Sequence, residues 1–281
     1  MGKYKFFSIF FTLFVYSLLV EASGITEAKA YHQNSQIQQA WATESIKSFP
    51  WKGNERVLDV GCGDGKLTSF LTEFVREGAV TGVDISPSMI EFASQTFSTT
   101  QHQNLSFLVS DVVSLPFQRE FDVVVSFFCL NWVKEQETAL KRIYDSLASN
   151  GKFLLVIPEK DPNGVLAQYM KQAQSEKWAS HFPNLEDPHH YYSQEDYFTM
   201  LKGTGFNEIK CKATKVSAAI PNKQALLNLL KPLLPFISHL PEDLQKEYIQ
   251  DMANAIMEIS PSDSAGNIHI VSNRLEFTAT K

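Results

Sequence analysis

The chain has 281 residues, 44% of them apolar, and a net charge of −6. That length supports one large domain or two small ones around a sizeable core, and an acidic balance argues against nucleic acid as the partner, because phosphate backbones attract basic surfaces. The three cysteines, Cys62, Cys129 and Cys211, lie far apart in apolar or glycine-rich surroundings, which excludes a disulfide framework or a paired-cysteine zinc site and predicts reduced, mostly buried thiols.

The first segment, Met1 to Ala22, has the composition of a leader. Lys3 and Lys5 precede an apolar run from Phe6 to Val20, and small residues follow; Val20-Glu-Ala22 and Ala28-Lys-Ala30 are candidate cleavage sites. The run is shorter than the about 20 residues an ordinary membrane span requires, so it reads as a signal peptide. A short membrane anchor and a start site placed too far upstream are the alternatives. Residues 23–281 are then the folded domain. The leader points to secretion or membrane association, whereas the rest of the chain looks cytosolic, and membrane contact is expected mainly through the leader.

Ala28 to Phe49 is a polar helix-like stretch, broken by Pro50-Trp51. From Arg56 onward, short apolar runs alternate with amphipathic ones. Residues 56–60 predict a strand, and 66–76 a helix with Leu67, Phe70, Leu71, Phe74 and Val75 at helical spacing. Residues 79–85 predict a second strand, followed by a helix with Ser86 as its N-cap and Pro87 at the first helical position. Strands are expected at 105–111, 121–128 and 151–158, the last after a helix over 136–149 that Asn150-Gly151 ends. Continuous Val/Leu/Ile/Phe runs imply strands covered on both faces, hence a parallel sheet with right-handed crossovers. The second half predicts a helix within 191–206, capped by Ser193 and ended by Gly203 and Gly205, then a strand at 206–219. A helical stretch over 222–260, interrupted by Pro232, Pro235 and Pro241, precedes a last strand at 267–281. An antiparallel hairpin at one sheet edge follows from that ending.

The chemistry gathers at "VLDVGCGDGKLTSF", where Gly61, Gly63 and Gly65 directly follow the first strand. In an open α/β sheet, ligands bind at the carboxyl ends of the strands. A dinucleotide loop needs a third glycine where Lys66 stands, and a P-loop needs Ser or Thr where Leu67 stands. No phosphate cradle is evident. The remaining ligand is adenosine without phosphates, carried as S-adenosylmethionine; a nicotinamide cofactor and a cofactor-free fold are the alternatives. Asp84, at the end of the second strand, can accept from ribose hydroxyls, and Ile85 can pack on the adenine. Asp111, at the end of the third, can accept from the adenine amino group, with Val112 offering a backbone N–H. Asp59 and Asp64 suit a cofactor that carries positive charge. Each such Asp, taken singly, is also an ordinary turn former.

These residues together resemble the class I S-adenosylmethionine-dependent methyltransferases over about residues 28–281. The resemblance implies a doubly wound α/β fold, a mostly parallel seven-stranded Rossmann-like sheet with an antiparallel edge strand and a helical cap insertion. The catalytic core would cover about 50–160, and acceptor cap elements about 160–200 and 220–262. It implies S-adenosyl-L-methionine as cofactor, held by Asp59, Gly61, Cys62, Gly63, Asp84, Ile85, Asp111 and Val112. "FDVVVSFFCLNWVKEQETAL" and "AYHQNSQIQ" further resemble juvenile hormone acid methyltransferases and bacterial relatives that act on small-molecule carboxylates. That likeness implies Gln38 and Trp132 in the acceptor pocket.

A carboxylate acceptor is already ionised at pH 7 and needs no general base, so the sequence singles out no catalytic residue, and no His/Asp/Glu set has metal spacing. A methyltransferase acting on a carrier-bound acid such as a malonyl carrier protein, and a non-catalytic binder, are the other readings. Trp132 reads equally as a core aromatic and Gln38 as a surface helix residue. The loop His189-His190-Tyr191-Tyr192 reads as solvated or as an acceptor-lining lid. The apolar stretch Leu226–Ile237 reads as a cap over the acceptor, with membrane contact as the alternative.

Overall fold

The computed structural model describes residues 28–29, 31–33, 35–97, 103–162, 164–187, 189–231 and 234–281; the leader, residues 1–22, lies outside them. Five strands come first: β1 (Arg56–Val60), β2 (Ala79–Asp84), β3 (Leu105–Val109), β4 (Phe121–Phe127) and β5 (Leu147–Pro158). Two long strands follow, β6 (Asn207–Ile220) and β7 (Ile268–Thr280). They form one sheet in the order β3-β2-β1-β4-β5-β7-β6. The first five pair in parallel, and β7 inserts antiparallel between β5 and β6. This is the doubly wound sheet with an antiparallel edge pair that the apolar periodicity and the chain's ending implied.

Burial explains the unbroken apolar runs. Along β4, Val124 faces one core with Leu140 and Ile143, while Val123 and Val125 face the other with Ala42, Ile46 and Leu71. Both faces are therefore dry, and a period-2 polar face would have left unpaid desolvation.

The helices are α1 (Gln36–Ser48), α2 (Lys66–Leu71), α3 (Pro87–Thr96), α4 (Gln136–Ser146), α5 (Val165–Ala173), α6 (Gln194–Thr204), α7 (Lys223–Leu230) and α8 (Glu242–Ile259). Two caps stand where expected: Ser86 accepts from the Met89 amide ahead of Pro87, and Ser193 forms a capping box with Asp196. Gly205, at φ 112°, ends α6, whereas Gly203 lies within it.

Two helices end earlier than in the sequence reading. Helix α2 stops at Leu71 rather than 76, because Thr72, Glu73 and Phe74 bond back only three residues in a tightening turn. Helix α4 stops at Ser146, before Asn150-Gly151. The amides of Arg119 and Glu120 take the carbonyls of Asp145 and Ser146, and Lys281 Nζ takes those of Tyr144 and Leu147. The helix end is thus satisfied by distant segments, and Leu147 is freed to pair with Phe121.

A separate apolar cluster lies beyond the sheet. It joins Val165, Tyr169 and Trp178 with Leu226 and Leu230 of α7 and Tyr248, Met252 and Ile256 of α8. Tyr248 donates to the Tyr169 carbonyl and Trp178 to Asp251, so the polar atoms of these buried rings are paired. Among the described residues, no helix is long and apolar enough to cross a membrane.

Candidate active site

The glycine loop owes its shape to backbone conformations that side chains resist. Gly61 and Gly63 have φ 75° and 53°, in the left-handed region. A Cβ on Gly61 would also lie 2.2 Å from Cys129 Sγ. The amides of Gly61 and Cys62 both donate to the Val83 carbonyl, at 2.8 and 3.0 Å, which folds the loop over the end of β2. Asp84 completes the attachment, with Oδ2 accepting from the Gly63 amide and Oδ1 from the Ser86 amide, each at 2.9 Å.

Three acids crowd this loop. Asp59 is 1% exposed; its Oδ2 accepts from Thr68 Oγ1 at 2.7 Å, and its Oδ1 is buried without a partner. Burial, opposed by the Thr68 hydrogen bond and aided by Asp84 and Asp64, pushes the Asp59 carboxyl up to about 7. Burial likewise raises Asp84, against the backbone hydrogen bonds it accepts. Asp64 is met by two nitrogen groups: His32 Nδ1 lies 2.9 Å and Lys66 Nζ 3.7 Å from its Oδ2. Lys66 Nζ also donates to the His32 carbonyl at 2.6 Å. The lysine that replaces a third glycine therefore ties the segment before α1 onto the loop, bringing Tyr31 over Gly63.

A cavity of about 780 Å³ opens above the loop. Gly61, Gly63, Asp84 and Ile85 line it, together with Trp132, Tyr169, His189 and Tyr191. Ile85 is 67% exposed into this region, unlike the buried strand residues before it. A smaller recess lies alongside, walled by Asp59, Cys62, Gly63 and Gln38. Asp111 and Val112 do not line either space. Strand β3 ends at Val109, and the Asp111 carboxylate caps a 3-10 turn by accepting from the Val113 amide at 3.1 Å; Val112 is buried in the sheet core.

Gln38 faces the cavity from α1, with a buried, unpartnered Oε1, so it is not a surface helix residue. Trp132 is 40% exposed in the cavity wall rather than packed in a core. His189 is buried, not solvated. Sequence reasoning missed Asn131, Tyr169 and Phe128. Phe128 holds φ 54° while its amide bonds to the Val156 carbonyl at 2.8 Å; this strained residue turns the chain into the cavity wall after β4. No local pattern marks such a position. Burial raises both loop-side thiols, Cys129 to about 12 and Cys62 well above its ordinary value, so they are inert. Among the described residues no cluster could hold a metal ion.

Residues 57–151 match a family model described as a methyltransferase domain. The chain is 26% identical to putative methyltransferase 235L of Invertebrate iridescent virus 6, over 80% of this chain and 83% of that protein. It is 25% identical to the juvenile hormone acid O-methyltransferase of Bombyx mori, over 86% and 90%. In fold it is similar to the YcgJ protein of Bacillus subtilis, with a TM-score of 0.62 at 18% identity, covering 85% of this chain and 97% of that one. With the glycine loop, the acids around it and the doubly wound sheet, these matches identify the chain as a class I methyltransferase that uses S-adenosyl-L-methionine as cofactor.

Proposed function

We propose that the protein methylates the carboxylate of a small acceptor with an apolar body, forming a methyl ester. The observation that carries this reading is the continuity of one cavity from Gly63 to Trp132 and on to Val165, Leu229 and Leu230 of the cap. A methyl donor on the loop and an apolar acceptor under the cap would share that space, with residues of 160–200 and 220–262 as the acceptor's enclosure. The likeness to a juvenile hormone acid O-methyltransferase supports the carboxyl acceptor.

The residues present fit the cofactor. The unpartnered Asp59 Oδ1 and the raised carboxyls of Asp59 and Asp84 call for a positively charged neighbour. We assign Asp59, Gly61, Cys62, Gly63, Asp84 and Ile85 to the cofactor, with Asp111 and Val112 at its adenine end, and Gln38 and Trp132 to the acceptor. When bound, the cofactor supplies an electrophilic methyl group on a sulfonium. The chain supplies alignment and a dry cavity, which strips water from the carboxylate oxygen.

Labelled S-adenosylmethionine tests this with a panel of aliphatic and terpenoid carboxylic acids, scored for ester. Transfer to the matching alcohols and not to the acids overturns it. An intact-mass shift of a malonyl carrier protein, without transfer to free acids, moves the reading to a carrier-bound acceptor.

A further inference from the structure

Among the described residues that line the cavity, His189 is the buried one able to carry positive charge; His190 is half-buried. His189 has only 4% of its side chain exposed; Lys160 also lines the cavity, but from an exposed position. The Asp187 carboxylate reaches both the His189 amide, at 2.9 Å, and Nδ1, at 3.0 Å. A carboxylate there draws the ring hydrogen onto Nδ1, which leaves a lone pair on Nε2, for which there is no hydrogen-bond partner among the described residues. Aromatic rings set the imidazole plane: Trp132 at 4.2 Å, Tyr191 nearly parallel at 5.4 Å and Tyr169 at 5.9 Å.

The loop that bears it is pinned. The His190 amide donates to the Asn131 carbonyl at 2.7 Å, and Gln136 Nε2 to the His190 carbonyl at 2.8 Å. Tyr197 in turn holds Gln136. His189 therefore has a preset position beside Trp132.

Resting on the carboxylate reading above, we propose that His189 binds the acceptor's carboxylate, taking a proton on Nε2 as the acceptor enters and holding one oxygen as an imidazolium. The other oxygen is left to receive the methyl group. The acceptor arrives as a carboxylate with one proton from solvent, and that proton goes to Nε2. An oxygen lone pair forms the new O–CH3 bond while the S–CH3 bond breaks, its electron pair returning to sulfur. The ester is uncharged, so the imidazolium loses that counter-ion and returns its proton to solvent. Loss of the ion pair also loosens the product's hold on the site.

The charged and titratable groups facing the ring agree. Burial holds His189 below the ordinary histidine range, outweighing Asp187, which pulls upward; His190 adds to the lowering. From the other elements the ring meets Tyr169 of α5, whose hydroxyl burial keeps protonated, and the uncharged Trp132. Tyr191, beside it in the loop, is likewise held protonated by burial, with Tyr169 and Asp187 acting in the same direction. The ring is thus neutral until a carboxylate arrives.

Calorimetry with dodecanoate, on protein saturated with S-adenosylhomocysteine, tests this in two buffers of different ionisation heat just above neutral pH. The expected result is uptake of close to one proton per dodecanoate bound. His189→Gln should abolish the uptake and weaken binding by about tenfold or more, and kcat/KM for dodecanoate should fall with rising pH in the native protein but not in the variant. Asp187→Asn, which keeps the ring, should move the pH limit of uptake downward. Methylation of dodecanoate without proton uptake, or with affinity and pH profile unchanged in His189→Gln, overturns the role of His189 and leaves the carboxylate reading standing. If S-adenosylhomocysteine binds and no acid of the panel does, both fall.

Discussion

Asp84 Oδ2 accepts the Gly63 amide at 2.9 Å, so the acid that closes β2 also holds the loop that closes β1. One carboxylate thereby links two strand ends and faces the cavity between them. Asp84→Ala frees two backbone amides, those of Gly63 and Ser86. Affinity for S-adenosylhomocysteine should fall by about 100-fold or more, given about 1.5–3 kcal/mol per hydrogen bond to a charged group. Calorimetry checks this; unchanged affinity would remove Asp84 from the cofactor site.

Asp59 makes cofactor binding pH-dependent. Its carboxyl ionises near pH 7, and only the carboxylate form attracts a cation. Affinity for S-adenosylmethionine should therefore drop as pH falls from 8 to 6, approaching tenfold per pH unit below the Asp59 value. Asp59→Asn should be weak and flat across that range.

The same acid costs the cofactor-free fold stability. Its folded value lies above the unfolded value of about 3.9, so the neutral form favours folding at low pH and that advantage is lost as pH rises through about 7. Asp59→Asn keeps the approach to Thr68 without the charge. Its gain in melting temperature over the native protein should grow from about pH 4 to about pH 7 and level off above, reaching roughly 5 °C or more. Thermal scans across pH would read it; a gain confined to acid pH would contradict the burial argument.

Gly61→Ala meets two penalties, a left-handed backbone and a Cβ 2.3 Å from Cys129 Cβ. About 1–2 kcal/mol follows from the backbone alone, and overpacking adds about 1–3 kcal/mol. Removing the neighbouring side chain by Cys129→Gly should recover part of the loss in denaturant midpoint, leaving the backbone share. No recovery would place the strain elsewhere.

Trp132→Ala should raise the acceptor KM by about tenfold or more, since a truncated aromatic anchor loses both area and its packing on His189. Cofactor affinity should be preserved, because we assign Trp132 to the acceptor, where it packs on His189. Parallel loss of both would assign Trp132 to the fold instead.

The local order of the chain was written in its sequence. Alternating apolar runs specified buried parallel strands, Ser86-Pro87 and Ser193 announced helix starts, and glycines at 61, 63 and 65 marked a ligand-side loop after the first strand. These signals are legible because they act between residues a few positions apart. The end of α4 was not, because its carbonyls are met by Arg119, Glu120 and Lys281. Asp59 stood out in the sequence as company for a cationic cofactor, but only burial leaves its Oδ1 without a partner and raises its carboxyl. His189, remote in sequence from Trp132, becomes an acceptor-side group only when the loop bearing it is pinned to Asn131 and Gln136. Desolvation and long-range hydrogen bonds are properties of packing, and only the tertiary structure decided them.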